Sequence, residues 1–227
     1  MTETTKANSS SRSGKSVSAS GRTSSERQKR SRADRQRQIR FRVGFFSMAA
    51  LFCGILLYLG VFPFQKGHAV NLTDSVLQYQ DQVEQYCAEY DIAAFSQVVL
   101  AIMQQESAGT VPDVMQASES PFNTWYANSP NSITDPDYSI RVGVETFAYC
   151  LDEANCSSPR DRNGLKLALQ NYNYGNAYAT WALDNYGGYS QTNAAEFSEN
   201  MKARLGWSNY GDPEYVDHVL RYYKTGF

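Results

Sequence analysis

Residues 43–64 form an uncharged, mostly apolar stretch that divides the chain into parts unable to share one fold. Phe45, Phe46, Met48, Leu51, Phe52, Ile55, Leu56, Leu57, Leu59 and Val61 lie in it, and Pro63 stands near its end. About 20 such residues cross the hydrocarbon core of a bilayer as a helix, because every backbone polar group must then be satisfied inside the segment. The flanks agree with that reading. Residues 1–42 carry twelve Lys/Arg and three acidic side chains, roughly +9, whereas the whole 227-residue chain is −2. Positive charge stays on the cytoplasmic side. Residues 1–42 are therefore expected as a disordered basic cytoplasmic tail and 43–64 as a single pass through the cell membrane. Residues 65–74 follow as a short linker, and 75–227 as a domain displayed outside.

The N-terminal segments admit two other readings. Arg27, Lys29, Arg30, Arg32, Arg35, Arg37, Arg40 and Arg42 would also suit a nucleic-acid-binding tail. Their place directly before an apolar span favours the topology signal, so nucleic acid is not expected as a partner. A cleaved secretory signal ending near Gly67-His68-Ala69 fits poorly, because both the basic segment and the apolar run are too long. Cys53 falls in the span, while Cys87, Cys150 and Cys156 fall outside, where disulfides persist. Cys150 and Cys156 are near enough to bridge, but spacing does not fix connectivity. Two histidines and no CxxC pair give no metal site, and no cofactor is expected.

The outer domain reads as mainly α. Leu72, Val76, Tyr79, Val83, Tyr86 and Tyr90 recur at helical intervals, with Thr73 as the N-cap. Ile92, Phe95, Val98, Val99, Ile102 and Met103 repeat the pattern. Tyr138, Val142, Glu145 and Tyr149 mark a third helix, and Leu165, Ala168, Leu169 and Tyr172 a fourth. Residues 193–205 and 213–224 suggest two more. No alternating strand pattern stands out. Polar loops at 107–136 and 184–192 are longer than ordinary connections, and loops of that kind usually carry function.

Glu106 continues the apolar face of Val99, Ile102 and Met103 at the end of its helix, just before Ser-Ala-Gly. A carboxyl set against apolar surface resists ionisation, which suits it to donate a proton near neutral pH. A frayed, inert helix end is the plainer alternative. Asp113 stands seven residues on, past Gly109 and Pro112. Glycoside hydrolysis uses two carboxyl groups, one protonating the leaving oxygen and the other attacking or activating water.

Three segments then carry a family likeness: Gln104-Gln105-Glu106-Ser107, Asp113-Val114-Met115-Gln116-Ala117-Ser118-Glu119-Ser120, and Ala168-Leu169-Gln170-Asn171-Tyr172-Asn173-Tyr174-Gly175. Together they resemble the lysozyme-like muramidase domain of Gram-positive bifunctional cell-wall hydrolases, related to the soluble lytic transglycosylases. The resemblance covers about residues 75–224 and implies a lysozyme-like helical fold. It implies cleavage of the β-1,4 bond between N-acetylmuramic acid and N-acetylglucosamine in peptidoglycan glycan strands. Glu106 becomes the expected general acid and Asp113 the second catalytic carboxylate. Gln116, Ser118, Glu119 and Ser120 are expected to line the saccharide cleft, joined by Tyr172, Asn173 and Tyr174. Tyr172 also suits the core, as do Trp125, Tyr126, Trp181 and Trp207. Glu119 suits a loop-bracing role equally well.

The family relationship further suggests local wall opening beside a conjugation or secretion channel, whose proteins would be partners. No peptide-cleaving domain is expected. A transglycosylase giving anhydro products, or a non-catalytic wall-binding scaffold, are the competing functions.

Overall fold

The computed structural model of the protein describes residues 67–175 and 177–225. The expected membrane span at 43–64 and the basic tail lie outside these residues. Among the described residues, no helix is long and apolar enough to cross a membrane.

Thr73 caps its helix as expected. Its backbone is extended and its Oγ1 accepts from Val76 N at 3.3 Å, an arrangement worth about 1 kcal/mol. The helix is short, however: α1 (Asp74–Leu77) stops, and α2 (Gln80–Glu89) starts afresh. The break lets the two pieces take different directions, α1 packing on α3 and α2 on both α3 and α4. Thr73 N donates to Gln104 Oε1 at 2.7 Å, and Thr73 Oγ1 donates to Ala108 O at 2.9 Å. At Gly109, with φ +69°, a Cβ would lie 2.3 Å from Ser75 O. Glycine is therefore required where α1 crosses the turn after α3.

A 3-10 turn (Ala93–Phe95) leads into α3 (Ser96–Glu106), which is buried from Val98 through Gln104. Burial along seven consecutive residues makes α3 the central helix rather than an amphipathic surface one. Next come α4 (Pro136–Glu153) and α5 (Arg162–Tyr174), which pack on each other. Asp135 caps α4 just ahead of Pro136, and Asp161 caps α5, accepting from Gly164 N at 3.0 Å.

Helix α6 (Tyr178–Tyr186) was not anticipated, because its stripe is short and its flanks are rich in Asn and Gly. Tyr178, Ala179 and Ala182 bury it, and Tyr178 and Trp181 join an aromatic cluster with Tyr174, Phe197 and Tyr210. Helix α7 (Gln191–Leu205) opens with a reciprocal capping box between Ser190 and Asn193 and ends at Gly206 in the left-handed region. Helix α8 (Tyr215–Leu220) is shorter than the 213–224 expected. The residues after it turn into β2 (Tyr223–Lys224), antiparallel to β1 (His68–Ala69), so part of the stretch read as a linker is tied to the domain's end. Cys87, Cys150 and Cys156 are buried free thiols, so the spacing that would allow a Cys150–Cys156 bridge is not used. Burial pushes the Cys87 thiol up to about 12 and Cys156 to about 11, which leaves both unreactive.

Candidate active site

Glu106 is the last residue of α3 and lies half-buried where that apolar helix meets the polar loops. The helix ends with its negative dipole pole there, which further disfavours a carboxylate. Tyr215, only 2% exposed at the start of α8, donates its phenol hydrogen to Glu106 Oε1. Burial raises the Glu106 pKa to about 7, the phenol opposes the rise, and the charges of Asp113 and Asp212 add to it. A carboxyl group at that value holds a proton for a substantial part of the time at neutral pH and can deliver it to a leaving oxygen. The phenols of Tyr215 and Tyr172 are pushed well above their ordinary range by burial and by Glu106, so both remain donors.

Asp113 is 1% exposed. Its Oδ1 accepts from Ala117 N at 3.0 Å and Ser139 Oγ at 2.7 Å; its Oδ2 accepts from Ser118 N at 3.1 Å and Ser118 Oγ at 2.5 Å. An ionised carboxylate offers about four lone-pair sites, and here the four are filled by the carboxylate's own loop and by α4. Ser118 is sealed in the same knot and receives Ile133 N at 3.0 Å, so it faces the loop interior instead of the cleft expected for it. The knot rests on α4 at Gly143, where a Cβ would sit 2.5 Å from Met115 Cβ. Gln116 adopts φ +48° and bonds Asp113 O and Asn131 Oδ1, both at 3.0 Å.

Beside this loop opens a cleft of about 430 Å³. Gln116, Glu119, Ser120, Tyr172, Asn173 and Tyr174 all reach its lining, together with Thr146, Trp207, Tyr210 and Gly211. Tyr172 Oη donates to Met115 O at 2.9 Å, holding the loop to α5. Tyr174 is mostly core: its hydroxyl donates to Ala194 O at 2.9 Å, and its ring stacks on Phe197 at 5.4 Å. Asn173 Oδ1 accepts from Asp212 N at 2.6 Å. Trp207 is 58% exposed at the cleft, whereas Trp181 joins the aromatic cluster behind it. Glu106 is not among the residues that line this cleft; it is linked to it through Tyr172, whose phenol feels the Glu106 charge, and through the turn that runs from Gly211 on the cleft wall to Tyr215.

Tyr215, Asp212, His218 and Thr146 escaped the sequence reading. Tyr215 belongs to a buried stripe with Val216 and Val219 that looks like ordinary core, and a lone Gly-Asp pair before Pro213 carries no signal. Among the described residues, no group of three His, Cys, Asp or Glu side chains is placed to hold a metal.

Fold and site together describe a helical domain that keeps one protonatable glutamate at the end of its central helix, beside an open polar cleft. That is the design of a lysozyme-type domain, and the chain belongs to the lysozyme-like family, whose model matches residues 73–226. It is 35% identical over 155 residues to the bifunctional muramidase/DL-endopeptidase CwlT of Bacillus subtilis, covering 68% of this chain and 44% of that protein. The pneumococcal vaccine antigen A of Streptococcus pneumoniae is 32% identical over 155 residues, covering 66% of this chain and 71% of its own. A solved structure described as similar to an NLP/P60-family lipoprotein, from Staphylococcus aureus, superposes with a TM-score of 0.57 at 30% identity. It covers 67% of this chain and 54% of its own.

Proposed function

We propose that the protein is a peptidoglycan hydrolase that cuts glycan strands between N-acetylmuramic acid and N-acetylglucosamine, with Glu106 as the acid. The observation that carries this reading is the Glu106 carboxyl itself. Burial lifts it to about 7 beside a cleft, and a fixed phenol contacts one of its oxygens. The lysozyme-like family match and the likeness to a muramidase-containing relative support the substrate class.

Glu106 protonates the glycosidic oxygen as the bond to the anomeric carbon breaks. Gln116, Glu119, Ser120 and Asn173 offer the polar contacts that a glycan needs along the cleft. Asp113 supports the reaction by holding the 113–118 loop, since its own oxygens have no vacancy for water. The basic tail and the apolar 43–64 span support a membrane-anchored enzyme acting on wall close to the anchor, as local opening for a conjugation or secretion channel would require.

The saturation of Asp113 favours one further reading. A transglycosylase needs a single acid, because the sugar closes on its own hydroxyl and gives anhydro products. Full-length protein in detergent, native and Glu106→Gln, incubated with purified Gram-positive peptidoglycan, separates the readings. Reducing muramic ends from the native protein alone are expected. Anhydro ends would assign a transglycosylase, and no release by either protein, with binding retained, would leave a wall-binding module.

A further inference from the structure

The domain is acidic, yet its basic side chains are not spread evenly. From residue 67 onward the sequence holds eight Lys/Arg against twenty Asp/Glu. Three of the eight, Arg160, Arg162 and Lys224, gather at the corner where β1 begins. Lys224 of β2 stands opposite His68 of β1, so the two side chains share one face of that pair. Arg162 Nη2 donates to Thr225 Oγ1 at 3.3 Å. Burial raises the Tyr223 phenol, and the nearby charge of Arg160 opposes the rise. All three cations are exposed. Asp161, between the two arginines, is committed to capping α5.

The same corner holds a cavity of about 400 Å³, lined by Gly67, Ala93, Ser96, Gln97, Arg160 and Tyr223. The chain enters it along a fixed path. A Cβ on Gly67 would lie 1.8 Å from the Tyr223 hydroxyl oxygen. Ala69 N donates to Gln97 Oε1 at 3.1 Å, and Val70 N to Tyr222 O at 2.8 Å. Ser96 opens α3 at this corner and Glu106 closes it, which sets the two about 15 Å apart along the helix.

Gly67 is three residues past the apolar 43–64 run, and three residues reach at most about 11 Å. A chain anchored by that run holds its basic corner beside the lipid headgroups. We propose that this face docks on the anionic phospholipid headgroups of the membrane that anchors the chain, standing α3 upright with its Glu106 end toward the wall. The docking rests on the membrane-anchored reading above and is independent of the reaction that Glu106 performs. A basic residue near an anionic surface shifts the docked-to-free ratio about fivefold, and three shift it about a hundredfold.

The test places full-length protein carrying Cys53→Ser in lipid nanodiscs, of phosphatidylcholine alone or mixed with phosphatidylglycerol. A fluorophore is attached at Ala94→Cys, exposed on the cavity rim, or at Thr110→Cys, exposed beyond the Glu106 end of α3. A spin label on the lipid headgroup quenches whichever position lies near it. The tether alone brings position 94 near lipid in both compositions, so dependence on lipid charge is the deciding signal. Strong quenching at 94 is expected with phosphatidylglycerol, falling in phosphatidylcholine alone and in high salt. Position 110 should stay bright throughout. The combined Arg160→Glu, Arg162→Glu and Lys224→Glu variant should lose the extra quenching yet cut peptidoglycan in detergent at the native rate. If that variant fails to fold, the lipid and salt dependence of the protein without it decides. Quenching at 94 that ignores lipid charge and salt, or that equals quenching at 110, overturns the docking and leaves the anchor standing. Release of the protein from vesicles by sodium carbonate overturns the anchored reading, and the docking with it. If position 94 stays bright and the charge-reversed variant instead loses binding to walls bearing teichoic acid, the face belongs to a wall polymer and the docking is overturned.

Discussion

Two turns place negative charge near Glu106, and they are built on opposite plans. The 113–118 loop turns its aspartate inward and fills its oxygens with two of its own amides, the Ser118 hydroxyl and Ser139 of α4. The 211–215 turn fixes its backbone just as tightly but leaves its aspartate partly open to water. Both charges raise the proton affinity of Glu106, so both tune that carboxyl. What separates the two aspartates is unfilled hydrogen-bonding capacity, not their effect on Glu106.

The sharpest way to break this contrast is to remove each carboxylate and measure stability. Asp113→Ala leaves buried amides and hydroxyls without an acceptor, at an expected cost of about 3 kcal/mol. For a domain of this size that is a melting-point fall of roughly 9 °C. Asp212→Ala removes a partly exposed group whose neighbours can turn to water, and should cost about 1 kcal/mol or less. Equal melting points for the two variants would remove the distinction.

This contrast also marks how much could be read in the sequence. Glu106 was legible because helical periodicity put a carboxyl on an apolar face, and periodicity is local. Asp113 was legible as a carboxylate near the acid, but its four partners come from a loop fold and from Ser139 on another helix. Burial of that kind leaves no mark in spacing. Ser118 and Tyr174 were placed on the cleft for the same reason, and the structure turns one into the loop and most of the other into the aromatic core. Tyr215 lies more than a hundred residues beyond Glu106 on a six-residue helix, too short for a pattern to declare its faces, and Asp212 lies in the turn before it. The fold class and the major helices were legible. The α1–α2 break and the β1–β2 pairing were not, because tertiary docking decides them.

A smaller effect tests the acid directly through stability. With a native value near 7 and an ordinary value of 4.5, Glu106 holds more proton in the folded state than in the unfolded one between those limits. Stability contributed by this group therefore falls as pH rises through that window. Glu106→Gln carries no such penalty. It should be more stable than the native protein by about 2 kcal/mol at pH 8, after allowance for the rim exposure of the group. The difference should fade as pH falls toward 4. Identical stability curves for the two proteins would mean that Glu106 is not held against its charge, and the proposed acid would lose its physical basis.

The smallest expected effect concerns Trp207 on the cleft lining. Trp207 is 58% exposed there, with its ring centroid 6.1 Å from that of Tyr210. Leaving a large apolar ring in water gains nothing for folding, and a flat ring beside a polar cleft suits the apolar face of a sugar. Trp207→Ala should therefore leave the melting point nearly unchanged and raise KM for peptidoglycan several-fold, about 1 kcal/mol, with kcat held. The kcat result is the informative one. The ring contact of Trp207 is with Tyr210 and not with Glu106 or either aspartate, so loss of its contact with a sugar should weaken substrate and transition state alike. A fall in kcat with KM unchanged would mean that Trp207 positions the reacting sugar. The catalytic unit would then extend across the cleft, beyond the two turns that flank the acid.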